Sequence, residues 1–542
     1  MISARRQHGR FYTPAAVADL TVAVTLGDRW PPKAVLDPSC GDGALLAALH
    51  RRGVPTASLV GRDNNPLAIE EARAALPGGR FEEGDLFSTS SAERFSAIVG
   101  NPPYVRNDRL TSGTKQAISA SLQSAYPELE INTIVNRGDL AACALLRSVA
   151  LLEPKGRLGF VVSAALLEAD YAEPMWDALA DHGQVLDIVT APGERWFREA
   201  AVNTIVLVFE RGASGPTRLS RLRHSTETCA ERITSAASLE SVADVRLDAS
   251  ASPKRWAHLL RAPPLWLELE ASPALVCLGD VAEIRRGITS GANDVFYMNR
   301  AKAAKNKIEP EVLFPLVRAP LRSGSVSIEI EPEAIDDLVL RAPASLEKTP
   351  NAAAFLAEHA EAKERASLRA REPWWRLPSR PAQVFLAKAY ARRFVQRFSR
   401  DPLDCDQRVY AVSPEHGICP RLLAAVLNGT LTALAIESLG RASMGEGALE
   451  WTVADARSLP IIDPRRMTKE ARAVILSRFS AIASRPIETC ENEAQRVDRH
   501  GLDAALLATD TSLAGRAKLL AASLAESAAL REARAKAPLP VT

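Results

Sequence analysis

The sequence has few cysteines, and their arrangement could not hold a metal ion. Its 542 residues include seven Cys, an odd number, with no CxxC pair and no Cys/His cluster at zinc spacing. Scattered thiols of this kind are typical of proteins in a reducing compartment. We therefore expect reduced cysteines, no structural metal and a cytoplasmic protein.

The sequence also has no uninterrupted hydrophobic run long enough for a membrane span, and little net charge. Three arginines near its start are not followed by an apolar segment, so no secretory signal is expected. The most apolar stretch, 422–439, is interrupted by Asn428 and Glu437, which favours packing in a core over contact with a membrane. Because the formal net charge is only +2, a nucleic-acid surface would have to be a local patch.

The chain is long and apolar enough to bury more than one core. Hydrophobic residues make up 47% of the sequence, and the length suggests roughly two to four domains. Apolar strands separated by helices indicate an α/β fold with a buried, mostly parallel sheet in the first part of the chain. Strands are predicted at 34–37, 57–60, around Phe81, 97–99, 157–163, 184–189 and 204–210, and helices at 44–49 and 139–152.

The strand at 97–99 runs into the tetrapeptide Asn101-Pro102-Pro103-Tyr104. Because proline cannot donate to a strand ladder, the strand must stop there and present Asn101 and Tyr104 at its carboxyl end, where open α/β sheets bind ligands. The Asn101 side-chain oxygen and the Pro102 carbonyl could accept both hydrogens of an exocyclic amino group. That would concentrate its lone pair toward an electrophile, while the Tyr104 ring could stack on a planar ligand.

Acidic residues follow the three preceding strands. Asp37 precedes a glycine-containing turn, 38–43, whose backbone could approach a ligand beside a helix N-terminus. Asp63 lies at the separation typical of an acid that binds a ribose, and Asp85 could accept from an adenine amino group. Each acid by itself could be an ordinary turn or cap residue. Four successive polar strand ends together predict one ligand crevice.

The order of these motifs resembles the gamma class of amino-methylating DNA methyltransferases, which make N6-methyladenine. The matching segments are Phe11-Tyr12-Thr13-Pro14, Asp37-Pro38-Ser39-Cys40-Gly41-Asp42-Gly43, Asp63, Asp85 and Asn101-Pro102-Pro103-Tyr104. The resemblance extends to about Asp463. It implies a class I fold with a seven-stranded sheet, S-adenosylmethionine as cofactor and a C-terminal target-recognition domain.

The same resemblance implies roles for the cofactor residues. Tyr12, Thr13 and the loop from Asp37 to Gly43 would hold the methionine part of the cofactor, Asp63 its ribose and Asp85 its adenine. The family often has Glu in place of Asp37, but both are carboxylates, so we expect no inactivation. The full set is Tyr12, Thr13, Pro14, Asp37, Pro38, Cys40, Gly41, Gly43, Asp63, Asp85 and Asn101.

An adenine inside a duplex cannot reach such a crevice, so it would have to be flipped out and stacked between apolar or aromatic faces. Tyr104 would supply one face. Phe197, which resembles the aromatic residue of the family's eighth motif, is the candidate for the other. Trp196 is the close alternative, and either ring could instead be a core residue.

The second half of the chain has the composition of a domain that recognises DNA. Its segment 278–296 resembles the opening of target-recognition domains, and 427–430, 440–449 and 459–461 follow the same family pattern. Residues 371–400 contain eight basic side chains, one acid and six aromatic rings, which suits phosphate contact and base stacking. A solvated helix with a packed aromatic side would show the same composition. The candidates for DNA contact are Arg285, Arg286, Trp374, Trp375, Arg392, Arg393 and Arg397.

These features predict three regions, with a boundary in the polar segment 211–253. They are a catalytic methyltransferase domain at 1–245, an α+β target-recognition domain at 250–465 and a helical C-terminal region at 466–542. The predicted function is site-specific N6 methylation of adenine in double-stranded DNA, as part of a restriction-modification system. A separate restriction endonuclease is the candidate partner, because a nuclease domain before the first cofactor motif is not expected.

Three alternatives remain open. A protein-glutamine N5 methyltransferase also uses Asn-Pro-Pro-Tyr on this fold, but such chains are short. A cytosine-N4 DNA methyltransferase usually has Ser in place of Asn101. A DNA-binding specificity module without catalysis would show gaps in the motif set, and none is evident in the sequence.

Overall fold

A computed structural model describes residues 12–27, 31–90, 92–191, 194–197, 203–222, 225–232, 241–247, 253–319, 326–441 and 447–536. Contacts between Cα atoms divide the chain into two compact units. The first unit comprises Met1–Ala262, Ala442–Gly447 and Leu530–Thr542, and the second comprises Pro263–Arg441 and Ala448–Ala529. The domain limits predicted from the sequence stay a prediction.

The first unit is built on a nine-stranded sheet in the order β3-β2-β1-β4-β5-β7-β6-β8-β9. Neighbouring strands from β3 to β5 are parallel, as are β6 and β8, whereas β7 is antiparallel to both of its neighbours and β9 is antiparallel to β8. The strands are β1 Val35–Asp37, β2 Leu59–Asp63, β3 Arg80–Glu83, β4 Phe95–Gly100, β5 Leu152–Ser163, β6 Gly183–Thr190, β7 Thr204–Arg211, β8 Thr217–Leu222 and β9 Ser241–Leu247.

Helices cover this sheet, and local sequence explains where several of them begin. Gly43 has a positive φ of +88° immediately before α2, and Asp139 caps α6 by accepting a hydrogen bond from the Ala142 N–H. Nine of the twelve residues of α1 are buried, so this helix packs nearly all round. The helices are α1 Ala15–Leu26, α2 Ala44–Arg51, α3 Pro66–Ala75, α4 Ser112–Ala125, α5 Ile131–Arg137, α6 Leu140–Ala150, α7 Glu173–His182, α8 Thr226–Arg232 and α9 Pro253–Arg261.

The α/β class predicted from the sequence is confirmed, and the sheet has two strands more than expected. Both extra strands, β8 and β9, come from the polar segment 211–253 in which a boundary was predicted. Every residue of β8 is buried despite its polar composition, and two of its polar residues are paired inside: Arg218 with Asp187, and Thr217 with Gln184. The second predicted strand also begins later than expected, since 56–58 form a short 3-10 turn.

The second unit has an α+β architecture around an eight-stranded sheet. Seven strands follow the order β11-β20-β17-β19-β13-β16-β12, and β15 pairs with β19. These strands are β11 Ala282–Arg286, β12 Tyr297–Asn299, β13 Leu313–Val317, β15 Glu329–Ile330, β16 Asp337–Leu340, β17 Ala382–Ala387, β19 Arg397–Cys405 and β20 Val409–Pro414. Six short strands form two-stranded pairs: β10 Leu275–Cys277 with β22 Pro460–Ile462, β14 Val326–Ser327 with β23 Pro486–Ile487, and β18 Ala389–Tyr390 with β21 Leu449–Glu450.

Helices of the second unit lie between these strands and follow them. They are α10 Pro264–Leu269, α11 Asn293–Phe296, α12 Arg300–Lys305, α13 Pro350–Glu358, α14 Pro420–Leu427, α15 Thr430–Leu439, α16 Val453–Arg457, α17 Lys469–Ala483, α18 Cys490–Glu493 and α19 Val497–Leu507. The helix α20, Ala517–Lys536, crosses the limit between the two units. The C-terminal region from 466 is thus mainly helical.

The most apolar stretch, 422–439, contributes to two helices rather than one. They are α14 and α15, which meet at an angle of 61°. No single helix in the described part of the chain is long and apolar enough to cross a membrane, although this bent pair meets the length and composition criteria when taken together. Asn428, between the two helices, is buried and accepts a hydrogen bond from the Gln396 N–H at 3.0 Å. One of the two polar residues that interrupt the run therefore joins the end of α14 to the residue that precedes β19.

Candidate active site

The parallel pairing of β1, β2 and β4 brings the predicted site residues to one edge of the first sheet. Asp37 is in register with Gly61, two residues before Asp63, and Leu36 is in register with Ile98, three residues before Asn101. All three strands run in the same direction, so their carboxyl ends meet. Asp37, Asp63 and Asn101 therefore lie along one edge of the sheet.

The Asn101 amide is held on both sides by residues of this edge. Its Nδ2 donates to Thr13 Oγ1 at 3.1 Å, and its Oδ1 accepts from the Tyr104 hydroxyl at 2.6 Å. That hydroxyl also lies 3.3 Å from the Val161 carbonyl. Burial and the Asp139 carboxylate raise the pKa of Tyr104 well above its usual range, so the phenol stays protonated and donates. The hydrogen bond from Asn101 Nδ2 to Thr13 Oγ1 thus fixes the orientation of the Asn101 amide.

Pro102 supplies a second acceptor beside Asn101. Its ring is buried, and its carbonyl accepts no hydrogen bond from the described residues. The two acceptors differ in this structure, since Asn101 Oδ1 already accepts from Tyr104. A substrate amino group could bond to the Pro102 carbonyl directly, but would have to displace the Tyr104 hydroxyl to reach Asn101.

Phe197 and Trp196 are both buried in the same hydrophobic core, but the ring in contact with Tyr104 is that of Phe197. The Tyr104 and Phe197 ring centroids are 5.9 Å apart with their planes at 75°, an edge-to-face contact. The Trp196 indole N–H donates to Thr226 Oγ1 at 2.8 Å, and the Glu194 carboxylate accepts from the Thr226 N–H at 3.0 Å. No local sequence pattern indicates this anchor, because Thr226 lies 30 residues further along the chain.

The glycine-containing turn after β1 is braced by the acid at the end of β2. Gly41 and Gly43 have φ values of +52° and +88°, which favour glycine. Asp63 Oδ2 accepts from the Gly41 N–H at 3.0 Å, and its Oδ1 accepts from the Asn65 N–H at 2.9 Å. Each carboxylate oxygen has a second lone pair, so Asp63 could hold the turn and still accept from a ligand hydroxyl.

Asp37 and Cys40 lie buried in this turn. Burial raises the pKa of Asp37 to about 8, and the neighbouring Asp63 and Asp42 carboxylates add to the effect, although the Ser39 N–H opposes it from 3.1 Å. Burial and the same acids raise the pKa of the Cys40 thiol far above its usual range, so Cys40 stays protonated. Pro38 is also buried. This acidic edge is suited to a cationic ligand.

The segment before α1 contacts the same turn. The Tyr12 side chain is 45% exposed, and its hydroxyl donates to Glu71 at 3.0 Å. A Cβ atom at Gly41 would lie 3.3 Å from the Tyr12 ring, so glycine lets this ring cover the turn. The Pro14 carbonyl accepts from the Ala18 N–H at 2.9 Å and begins α1. Phe11 lies outside the described residues.

Asp85 has the capping role that the sequence allowed as an alternative. Its Oδ1 accepts from the Phe87 N–H at 2.7 Å and caps the short turn Leu86–Ser88. The side chain is exposed, so it also remains accessible to a ligand. Among the described residues, no three His, Cys, Asp or Glu side chains are grouped so as to hold a metal ion.

Two of the predicted DNA-contact residues pack on a hydrophobic core of the second unit. Trp374 lies 5.9 Å from the Phe296 ring, and the Trp375 indole N–H donates to the Pro343 carbonyl at 3.0 Å. Both rings are half-buried. Core packing therefore accounts for much of their surface.

The predicted DNA-contact arginines occupy different environments. Arg285 and Arg397 lie in one row across the sheet, in register through Ala411 and Phe385, and so point to the same face. Burial lowers the pKa of Arg397, which forms no ion pair with the described residues. The other three are near the surface: Arg286 donates to Gln407 at 3.0 Å, Arg392 pairs with Glu491 at 2.9 Å, and Arg393 is exposed.

Comparison with known protein families matches both halves of the chain. Residues 2–221 match the family described as N-6 DNA Methylase. Residues 261–489 match the family described as Type II methyltransferase M.Eco57I, C-terminal domain. The two matches do not overlap, and they follow each other in the order of the two units.

Two curated relatives are described as Type II methyltransferases. Type II methyltransferase M.BanIII of Aneurinibacillus aneurinilyticus is 27% identical over 236 residues, which are 38% of this chain and 39% of that protein. M.BstVI of Geobacillus stearothermophilus is 29% identical over 224 residues, 34% of this chain and 38% of that protein. This chain thus spans less than two fifths of the length of either relative.

The solved structure is that of the Type IIL restriction-modification enzyme MmeI in complex with DNA. It is similar to this chain with a TM-score of 0.54 and 13% sequence identity, over 94% of this chain and 71% of that one. At this level of identity the similarity concerns the fold.

Proposed function

Because residues 2–221 belong to the N-6 DNA methylase family and residues 261–489 to the M.Eco57I C-terminal domain family, we propose that the chain methylates DNA at a specific site. The methyl group passes from S-adenosylmethionine to N6 of a flipped-out adenine in double-stranded DNA. The observation that carries this proposal is the Asn101 amide, fixed by Thr13 at the sheet edge beside the Pro102 carbonyl. We further propose that the chain is the modification component of a restriction-modification system with a separate endonuclease.

The residues of the sheet edge fit S-adenosylmethionine. The cofactor is a cationic nucleoside, and the edge offers the Asp37, Asp42 and Asp63 carboxyl groups around a turn with two left-handed glycines. When bound, the cofactor supplies an electrophilic methyl group. The chain binds and orients it through Tyr12, Thr13 and the turn after β1, with Asp63 toward the ribose and Asp85 toward the adenine.

Asn101 and Pro102 activate the acceptor nitrogen by accepting its two hydrogens. The lone pair of an adenine amino group is delocalised into the ring, which makes the nitrogen a poor nucleophile. Two carbonyl-type acceptors that take both hydrogens favour a pyramidal nitrogen and localise the lone pair. The nitrogen becomes acidic only as it gains the methyl group, so these acceptors suffice without a strong base. Holding both reactants in line supplies much of the rate enhancement.

The first test of the proposal is where the methyl group goes. Incubation of the protein with labelled S-adenosylmethionine and duplex DNA is expected to give label in DNA, released on digestion as N6-methyladenine. Label found in protein alone would overturn the proposal and favour a glutamine substrate, and label in cytosine would favour N4 methylation. Single-molecule sequencing of DNA from an expressing host then identifies the site.

Thr13→Val is expected to slow methyl transfer by about 2- to 12-fold, because a neutral hydrogen bond contributes roughly 0.5–1.5 kcal/mol. Valine keeps the shape of threonine but offers no acceptor to Asn101 Nδ2. Thr13→Ser keeps the acceptor and serves as the matched control. Single-turnover rates at saturating cofactor measure the effect. Equal rates for Thr13→Val and the wild type would show that Thr13 does not orient the amide.

The affinity for S-adenosylmethionine is expected to rise with pH up to about 8. Asp37 has a pKa of about 8 in the folded chain and is therefore mainly protonated at neutral pH. A cationic ligand favours its ionised form, so binding releases a proton and strengthens by up to about tenfold per pH unit below that pKa. Calorimetric titration between pH 6 and pH 8 measures this. Asp37→Asn should remove the dependence, and an unchanged dependence in that variant would assign it to another group.

The raised pKa of Asp37 also determines how the stability of the unliganded protein changes with pH. Unfolded, Asp37 has the ordinary pKa of 3.8. Between pH 4 and pH 8 the unfolded chain binds fewer protons at this residue than the folded chain. The contribution of Asp37 to the free energy of unfolding therefore falls as the pH rises through this range and levels off above about 8.

A further inference from the structure

Six arginines are buried in the described part of the chain, and five of them have a clear partner. Burying a cationic side chain is costly unless it is paired and hydrogen-bonded, so a partner is the expected state. The five pairs are Arg62 with Glu82 and Glu93, Arg147 with the Thr89 carbonyl, Arg218 with Asp187, Arg499 with Glu493, and Arg531 with the Gly447 carbonyl.

Arg221 is the exception. It lies in β8, in register with Thr190 of β6, and only 7% of its surface is exposed. Its Nε and Nη2 atoms are enclosed without an acceptor, and the guanidinium makes no ion pair or hydrogen bond with the described residues. Burial alone lowers its pKa. No group among the described residues thus neutralises the positive charge of the Arg221 guanidinium.

Another arginine of the same strand, whose side chain lies on the opposite face of the sheet, does have a partner. Arg218 is three residues earlier in β8 and pairs with Asp187 of β6 at 2.5 Å. The same two strands therefore neutralise one arginine with an acid and leave the other without one. A guanidinium in that state is suited to an anion that binds later, and its planar donors match the oxygens of a phosphate.

Strand directions place Arg221 at the same edge as the candidate active site. Strands β4, β5, β6 and β8 all run the same way, and Arg221 is next to the last residue of β8. Four strand spacings separate β8 from β4 in the sheet, which amounts to roughly 19 Å. With a rise of about 3.4 Å per nucleotide, that distance is roughly five to six base steps along a duplex.

We propose that Arg221 binds a backbone phosphate of the DNA several nucleotides from the target adenine through Nη1, since Nε and Nη2 are the atoms that are enclosed. This proposal rests on the proposed function, because it requires that DNA be the substrate. It adds a contact on the catalytic unit itself, separate from the arginines of the second unit. Arg221 would fix the position of the duplex and would carry no information about base sequence.

The test combines the salt dependence of DNA binding with thermal stability. The probe is a duplex that contains the methylated site identified by sequencing. For Arg221→Met we expect affinity to fall about tenfold or more, since a hydrogen bond to a charged group is lost. The slope of log K against log salt should become shallower by about 0.9, as for one phosphate contact. Its melting temperature should rise, because an uncompensated buried charge is removed.

Two further variants serve as controls. Arg221→Lys keeps the positive charge and should keep the wild-type slope. Arg218→Met is expected to melt at a lower temperature than the wild type, because the buried Asp187 carboxylate loses its ion pair with Arg218. A slope in Arg218→Met that falls as much as in Arg221→Met would show that any charge lost from β8 has this effect, and would overturn the proposal.

The outcomes separate this proposal from the proposed function. A wild-type protein that binds no DNA overturns both. A wild-type protein that binds and methylates DNA, together with an unchanged salt slope in Arg221→Met, overturns only the phosphate contact. If Arg221→Met binds S-adenosylmethionine more weakly but keeps the wild-type salt slope for DNA, Arg221 contacts the cofactor carboxylate. That result would also overturn the phosphate contact.

Discussion

Asn101→Ala is expected to lower methyl transfer at least about 100-fold, the cost of removing one group that stabilises charge in a transition state. The variant loses the side-chain oxygen that is proposed to accept an N6 hydrogen, and the Pro102 carbonyl cannot replace it because it is already assigned to the other hydrogen. The cofactor should still bind nearly as well, because the amide is directed chiefly at the base. Single-turnover methylation and calorimetric cofactor binding measure the two effects separately.

The structure indicates that this variant should fold. The Tyr104 hydroxyl loses Asn101 Oδ1 but lies 3.3 Å from the Val161 carbonyl, so it retains an acceptor. Asn101→Ser is the matched control, since serine is the usual residue of the cytosine-N4 enzymes at this position and keeps a small acceptor. It should be more active than Asn101→Ala. Full activity in Asn101→Ala would show that the proposed mechanism is wrong.

Tyr104→Ala is expected to lower methyl transfer by about 5- to 150-fold, because stacking of a base on an aromatic ring contributes roughly 1–3 kcal/mol. Tyr104→Phe should keep most of the activity. It retains the ring and removes the hydroxyl that occupies Asn101 Oδ1 at 2.6 Å, so the substrate no longer has to displace that hydroxyl. The pair of variants therefore separates the ring from its hydroxyl group.

Fluorescence of 2-aminopurine at the target position reports the stacking directly. The flipped base should fluoresce more strongly in Tyr104→Ala than in Tyr104→Phe, since no ring then covers it. The edge-to-face contact between Tyr104 and Phe197 leaves no space for a base, so the two rings must separate on binding, and Phe197→Ala should act in the same direction as Tyr104→Ala. Equal losses in Tyr104→Ala and Tyr104→Phe would contradict a stacking role.

Much of the candidate site could be predicted because local rules determine it. Two consecutive prolines end a strand wherever they occur, and alternating apolar strands and helices indicate a parallel sheet. The carboxyl ends of parallel strands meet, so the order of Asp37, Asp63 and Asn101 in the sequence was enough to predict that they share an edge. Gly41 and Gly43 were predicted at a turn, and their positive φ values show why glycine is required there.

Composition alone did not predict the role of the second unit's aromatic residues. Tryptophans among arginines are compatible with base stacking and with core packing, and only the contacts of Trp374 with Phe296 and of Trp375 with Pro343 show how much of each ring is used by the core. The polar strand β8 was missed for a related reason. Its polarity suggests an exposed linker until Asp187 and Gln184, from another strand, are seen to pair with it.

The sequence by itself determined the class of fold, the end of the strand at Asn101 and the set of acids along the sheet edge, because these follow from short-range backbone preferences and from strand direction. Only the tertiary structure decided which ring faces Tyr104, what holds the Asn101 amide and which buried arginine has no partner among the described residues. Thr13 lies 88 residues from Asn101, and Thr226 lies 30 residues from Trp196. Hydrogen bonds between groups so far apart in the chain depend on how the whole unit packs, and no local pattern specifies them.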